Sequence, residues 1–381
     1  MNTPAGEVVA ALAALTRGDA PIAERCFREI LAIHPDHHVA LHGLGKALHD
    51  QLRLDEAEQA FRAAGQMAAD SALSDYHVGL IRLLRGDHAA GGAGWEARLH
   101  VPALGHPAIP LPPWTGTAAP AERILILGEQ GYGDVIQFAR FLPAAAAAAA
   151  GRAADLTLGC APPLLPLLAP FCAAHGTAAV TGTLDPRRFD RYAWLCSLPS
   201  LAPAMPAGQR AYLSPPTSAA ELWRGRRPDR RLCVGLCWEG RASHPQDHQR
   251  SITPRLLAPL STLPGIAFVG LQRPPLRTAS PDGLLAADWG PKVEDSPTAA
   301  SMLAALDLLV TVDTALAHLA GALGVPALVL LPWVPEWRWG LSGEASAWYP
   351  SLRLLRQGRP GDRSAPIAAA AAALSRADRR W

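Results

Sequence analysis

The sequence predicts an α + α/β chain: a helical repeat array over residues 1–100, then two α/β domains built on parallel sheets. Three observations predict it. Phe27, Phe61 and Trp95 recur at intervals of 34 residues, the signature of a repeated two-helix unit. Arg123 to Leu142 reads as a buried strand, a glycine loop and a helix. Leu308 to Gly324 repeats that transition, with a strand ending at Asp313-Thr314 and a small-residue helix starting at once.

Composition sets the frame. At 381 residues the chain has room for two or three domains, and with 49% apolar residues it can fill their cores. A net charge of +2 gives no argument for nucleic acid or an anionic membrane. Six scattered cysteines, mostly in apolar runs, suit reduced buried thiols better than a disulfide framework. The N-terminus lacks the basic start and apolar core of a signal peptide, and no run reaches the length of a transmembrane segment. The expectation is a soluble, cytoplasmic protein.

In the array, Ala23 and Ala57 keep the same spacing, as do Gly45 and Gly79. Pro35 ends the first unit, and the units read as 4–37, 38–71 and 72–100, the third degenerate after Gly86. These small and large positions resemble the tetratricopeptide repeat, in which two helices nest and neighbours stack. The resemblance implies a concave surface suited to a peptide or protein partner; the units also suit a rigid spacer. Trp95 is expected to plug the end of the array. Residues 101–120 are a proline-rich connector that forbids helix, with Trp114 placed to pin it against a domain.

The first α/β domain, 121–215, opens with Ile124 to Leu127 as a strand and a loop carrying Gly128, Gly131 and Gly133. A helix follows with Val135, Phe138 and Leu142 on one face. Strands are expected at 156–159, 178–181 and 192–196, and a helix at 164–171. The loop begins like a dinucleotide fingerprint, but Ile136 stands where the third glycine belongs, so NAD binding is not supported. No Gly-Lys-Ser/Thr follows, which excludes a phosphate-binding P-loop. Asp134 sits where loop becomes helix. It reads as the helix N-cap or as an accessible carboxylate, and the two roles can coexist.

After a linker, 214–230, the second α/β domain, 216–361, begins with a strand at 232–238 ending in Trp238. The polar loop 239–251 is long enough to suggest function. Its Arg241 and Arg250, with Ser251 beside it, suit a diphosphate clamp, or face water. His244, His248 and Asp247 lack a rigid helix to fix a metal, and Cys233 and Cys237 lack a second ligand pair; no metal and no cofactor are expected. A helix should begin near Thr253-Pro254. The strand 266–271 ends in Gln272, and carboxyl ends of parallel strands face the ligand crevice. The helix after Asp313-Thr314 turns its free N–H groups toward that crevice, a ready anion site, with His318 one turn beyond Thr314. The plainer reading makes Asp313 an N-cap and His318 a core histidine. Trp333, Trp337 and Trp339 lie in aromatic loops that stack on a ligand or seal a core. A final alanine-rich helix falls at 364–379, within a terminal segment 362–381, and is expected to pack back across the domains.

Gly128-Glu-Gln-Gly-Tyr-Gly-Asp-Val-Ile-Gln-Phe-Ala-Arg140 and Asp313-Thr-Ala-Leu-Ala-His318 with Ala320-Gly-Ala-Leu-Gly324 resemble glycosyltransferase family 9, the heptosyltransferase-like enzymes. Over nearly its whole length the chain resembles bacterial tetratricopeptide-repeat proteins carrying such a domain at the C-terminus. The resemblance implies a GT-B fold of two Rossmann-like domains and an inverting, metal-independent transfer from a nucleotide-sugar donor. It implies Asp134 as catalytic base, with Gly131, Gly133 and Gln137 on the acceptor side. Trp238, Arg250, Ser251, Gln272, Asp313, Thr314 and His318 fall on the donor side. The acceptor is a glycan, a lipid-linked glycan or a protein. The family's lysine in the loop after the second domain's first strand is absent, and Arg250 is the candidate substitute. Gln137 stands where the family usually has histidine. Two other readings fit the same residues: a non-catalytic scaffold on a degenerate nucleotide-sugar binder, and an isomerase acting on a nucleotide sugar.

Overall fold

The computed structural model describes residues 4–67, 71–201, 211–228, 231–277 and 279–376. It divides into two compact units, 1–108 with 333–342, and 109–332 with 343–381. Among the described residues no helix is long and apolar enough to cross a membrane.

The first unit holds three helix pairs: α1 (Pro4–Thr16) and α2 (Ala20–Ile33), α3 (His38–Asp50) and α4 (Leu54–Met67), α5 (Ala72–Leu84) and α6 (His88–Glu96). The pairs start at 4, 38 and 72, at the boundaries read from the 34-residue spacing. Each helix packs on the next. Phe27 and Phe61 are fully buried, and their rings occupy the space that side chains at Gly43 and Gly45 would need. In the third pair, backbone meets backbone: a Cβ on Gly79 would lie 2.6 Å from the carbonyl carbon of Gly94. Charge repeats with the same period. Glu24 of α2 accepts from Gln51 and Arg53 beyond α3, and Glu58 of α4 accepts from Arg82 and Arg85. Trp95 is buried against Tyr76 and Trp337, so the aromatic loop 333–342 belongs with this unit although its chain neighbours do not.

Between the second and third pairs, the ring nitrogens of His42 and His77 lie 3.3 Å apart, and both rings pack on Phe61. Burial, then Lys46 and His38, lowers His42 from 6.5 to about 4. Burial, then His42, lowers His77 from 6.5 to about 3; His49 and Lys46 also oppose its charge, while the Leu73 carbonyl favours it. Both are neutral when folded, while the unfolded chain takes up protons below pH 6.5. Stability is therefore full above that pH and falls as pH drops toward the folded values. Because the rings are only half-buried, we expect the pair to cost about 2 kcal/mol at pH 5. Urea unfolding of wild type and His77→Phe at pH 7 and pH 5 checks this: the variant's midpoint should move less.

The second unit contains two parallel sheets. The first has β1 (Arg123–Leu127), β2 (Asp155–Gly159), β3 (Thr177–Val180) and β4 (Arg191–Trp194) in the order β3-β2-β1-β4. Helices α7 (Tyr132–Phe138), α8 (Leu142–Ala150) and α9 (Leu165–Ala174), with the short turn α10 (Leu198–Leu201), accompany it. The single helix expected after the glycine loop is two. A 3₁₀ turn at Ala139–Phe141 divides it, because Pro143 has no N–H for the Ala139 carbonyl. Trp114 pins the connector as expected: it is buried, and its N–H donates to the Tyr192 carbonyl at 2.7 Å.

The second sheet follows α11 (Thr217–Arg224). It has β5 (Leu232–Cys237), β6 (Ile266–Gly270), β7 (Ala287–Asp288), β8 (Leu308–Val312), β9 (Ala327–Leu330) and β10 (Leu352–Leu355), ordered β10-β9-β8-β5-β6-β7. The remaining helices are α12 (Asp247–Arg250), α13 (Ser296–Ala304), α14 (Ala315–Leu323) and α15 (Ser364–Ser375). Residues Pro254–Thr262, expected as an α-helix, form a 3₁₀ run with Pro259 inside. Helix α15 packs on the second sheet: Ile367, Ala370, Ala373 and Leu374 enter its core beside Val310 and Leu330. The expected last turn at 377–379, and linker residues 229–230, lie outside the described residues. Among the described residues none of the six cysteines forms a disulfide.

Candidate functional site

Strand order locates the crevices. In an open parallel sheet, ligands bind beyond the carboxyl ends of the strands where the order reverses. In the first sheet this is between β1 and β4, and in the second between β5 and β8. The loops leaving those ends are 128–133, 239–251 and 313–314, the segments singled out from sequence.

At the end of β1, the Gly128 N–H donates to the Gly159 carbonyl at 2.8 Å. Buried Glu129 accepts from the Cys196 N–H at 3.2 Å, which ties the loop to the end of β4. Gln130 adopts a left-handed backbone, φ 60°. Gly131 is then the N-cap of α7, and Asp134 is its third residue, not its cap. The half-buried carboxylate reaches back to accept the Gly131 N–H at 2.9 Å. This is half of a capping box, and negative charge in a first helical turn is favourable. Gly133 is a point of close approach: a Cβ there would lie 2.8 Å from Cδ2 of His318 and 3.4 Å from Cα of Ala315. The start of α7 thus rests on the start of α14. Gln137 is fully buried, and no protein partner meets its side-chain amide among the described residues. An acceptor contact needs an exposed group, so Gln137 stands behind the crevice wall instead.

At the end of β8, Asp313 is buried and Thr314, not Asp313, is the N-cap of α14. The Thr311 and Thr314 hydroxyls are 3.3 Å apart. Ala315 is exposed, so the helix start opens to solvent. His318, one turn on, is buried and shares a 3.1 Å hydrogen bond with the Tyr349 hydroxyl.

At the end of β5, Trp238 is a core residue packed with Leu236 and Ile252, which removes it from stacking on a ligand. Gln272 is turned inward: its Oε1 accepts from the N–H groups of Trp238 and Glu239 at 3.2 and 3.0 Å. It shapes the loop rather than facing the crevice. The loop winds around buried Asp247, which accepts from Ser251 Oγ at 2.9 Å, Arg250 Nε at 3.3 Å and Arg277. Ser251 Oγ also accepts from the Gly240 N–H at 2.9 Å and from Arg277 at 3.0 Å. Arg277 pairs as well with buried Glu239 at 3.0 Å. Arg250 uses only Nε on Asp247, so among the described residues its terminal nitrogens have no protein acceptor.

Sequence reasoning missed the three groups that build this loop, Glu239, Asp247 and Arg277. The position of Arg277 shortly after the carboxyl end of β6 was the available signal. It also missed Arg140, which is buried with its guanidinium over Tyr349, Tyr212 and Trp348 at 4.5, 5.0 and 5.4 Å.

This geometry defines a parallel α/β protein with one crevice lined from two switch points. FlbA of Caulobacter vibrioides is 29% identical over 372 residues, which cover 88% of this chain and 61% of FlbA. The chain therefore spans about three-fifths of the length of that curated relative. Among solved structures, the glycosyl transferase family 9 protein of Veillonella parvula aligns with a TM-score of 0.44 and 13% identity, covering 68% of this chain and 98% of that one. The E. coli ADP-heptose lps heptosyltransferase II aligns with a TM-score of 0.42 and 14% identity, covering 65% and 98%. No protein-family model matches the chain.

Proposed function

We propose that this chain is an inverting, metal-independent glycosyltransferase of GT-B type, moving a sugar from a nucleotide-sugar donor to an acceptor hydroxyl on a glycan, a lipid-linked glycan or a protein. The observation that carries the reading is the approach of Gly133 to His318, which brings the Asp134 loop to the open start of α14. A carboxylate and an anion-binding helix start then share one crevice.

In this reading the acceptor hydroxyl attacks the anomeric carbon and Asp134 takes its proton. The bond from that carbon to the diphosphate breaks, and the leaving oxygen keeps the electron pair. The free N–H groups of α14, the Thr314 hydroxyl and the terminal nitrogens of Arg250 stabilise the charge that develops there. Arg250 stands in for the lysine of the resembled family. Gly131 and Gly133 serve the acceptor side indirectly, by capping and by close packing. The three helix pairs act as a tetratricopeptide array whose groove takes a peptide or protein partner in the cytoplasm.

A thermal-shift series with ADP- and UDP-sugars tests the donor site. A donor at a hundred times its dissociation constant adds about 2.7 kcal/mol, or roughly 5 to 10 °C for a unit of this size. Release of the diphosphate in the presence of acceptor separates transfer from a binding-only scaffold, and no shift with any nucleotide sugar would overturn the reading.

A further inference from the structure

Among the groups of loop 239–251 that this mechanism does not use is His244. His244 is half-buried in a tight turn: its backbone N–H donates to the Arg241 carbonyl at 2.9 Å, and its carbonyl accepts from the Asp247 N–H at 3.0 Å. Its ring Nδ1 accepts the Gln246 backbone N–H at 3.2 Å. Nδ1 must therefore keep its lone pair, which places the ring proton on Nε2. No protein acceptor takes that Nε2–H among the described residues. The charges that act on the ring are Arg250, Asp247 and Arg241 from its own loop and Asp134 from α7. His244 thus feels the charge of both the proposed base and the proposed diphosphate clamp. The other histidines near the crevice are occupied or turned outward: His318 bonds Tyr349, and His248 is exposed.

We propose that His244 is a neutral hydrogen-bond donor to the diphosphate, presenting Nε2–H to a phosphate oxygen beside Arg250. The inference rests on the donor-site reading above and adds a specific ligand contact to it. The neutral state has a physical basis. A proton added at Nδ1 would point at the Gln246 N–H and lose that bond. Burial first, then Arg250, also lowers the imidazole's affinity for a proton, against the pull of Asp247. Neutrality also serves the chemistry. An imidazolium here would pair with Asp134 and weaken it as a base, whereas an uncharged donor orients the phosphate and leaves the charge to the arginines.

Two substitutions separate this role from loop structure. His244→Asn keeps an acceptor for the Gln246 N–H but has no donor at the Nε2 position; His244→Gln places an N–H near that position. Calorimetric titration of the full chain with ADP and with UDP should show binding weakened about 10-fold or more in the Asn variant. The Gln variant should stay within about threefold of wild type. In nitrogen-15 spectra of the wild type with saturating ligand, His244 should carry one ring proton, on Nε2, from pH 6 to 8. Unchanged affinity in His244→Asn, or a doubly protonated ring in the complex, overturns the inference while the donor site stands. If wild type binds neither diphosphate, the donor-site reading fails and this one with it.

Discussion

Asp134→Asn is expected to lower turnover by about a thousandfold, within the range for removing a general base, with donor affinity held within about threefold. The substitution isolates chemistry from structure. Asp134 holds the start of α7 by accepting the Gly131 N–H at 2.9 Å, and the asparagine amide oxygen can accept the same bond. The fold should therefore lose about 1 kcal/mol or less, and the melting temperature reports whether it does. What asparagine cannot do is take a proton from a hydroxyl. Single-turnover kinetics with saturating donor read the chemical step directly, and a loss smaller than tenfold would sink the assignment of Asp134 as base.

The second large effect concerns stability. Arg140→Ala is expected to destabilise the α/β unit by about 3 to 5 kcal/mol. Arg140 is buried and donates from Nε to the Gln137 carbonyl at 3.0 Å and from Nη1 to the Trp348 carbonyl at 2.7 Å. Among the described residues no carboxylate neutralises it; three aromatic faces do that work instead. Truncation leaves two carbonyls without a donor and a cavity among Tyr212, Trp348 and Tyr349. Arg140→Met fills most of that space and should cost less than half as much. Urea midpoints at constant slope give both values; a loss under 1 kcal/mol in the alanine variant would refute the structural weight given to this residue.

The helix pairs were legible because their period is carried by residues with fixed packing partners, Phe27 over Gly43 and Phe61 over Gly45. The central strands were legible because burial on both faces leaves continuous apolar runs such as Leu308–Val312. Strand β10 was not: Leu352–Leu355 is four residues long and follows an aromatic loop with no clear punctuation. Loop 333–342 was misjudged because sequence adjacency suggests the α/β domain, whereas Trp337 is held by Trp95, far away along the chain. The same limit applied within the crevice. Asp247 looks solvated in a polar loop, and only Arg277, thirty residues on, reveals it as a buried hub. Trp238 and Gln137 looked available because a sequence does not display the tertiary contacts that bury them.

The contact of Gly133 with His318 has a mechanical meaning. Because residue 133 has no side chain, the backbone at the start of α7 bears directly on the His318 ring of α14. The two helix starts therefore hold a fixed spacing, set by the thickness of one imidazole ring. A bulkier residue at 133 would not merely crowd a histidine: it would push the start of α7 off the start of α14 and change the gauge between the two.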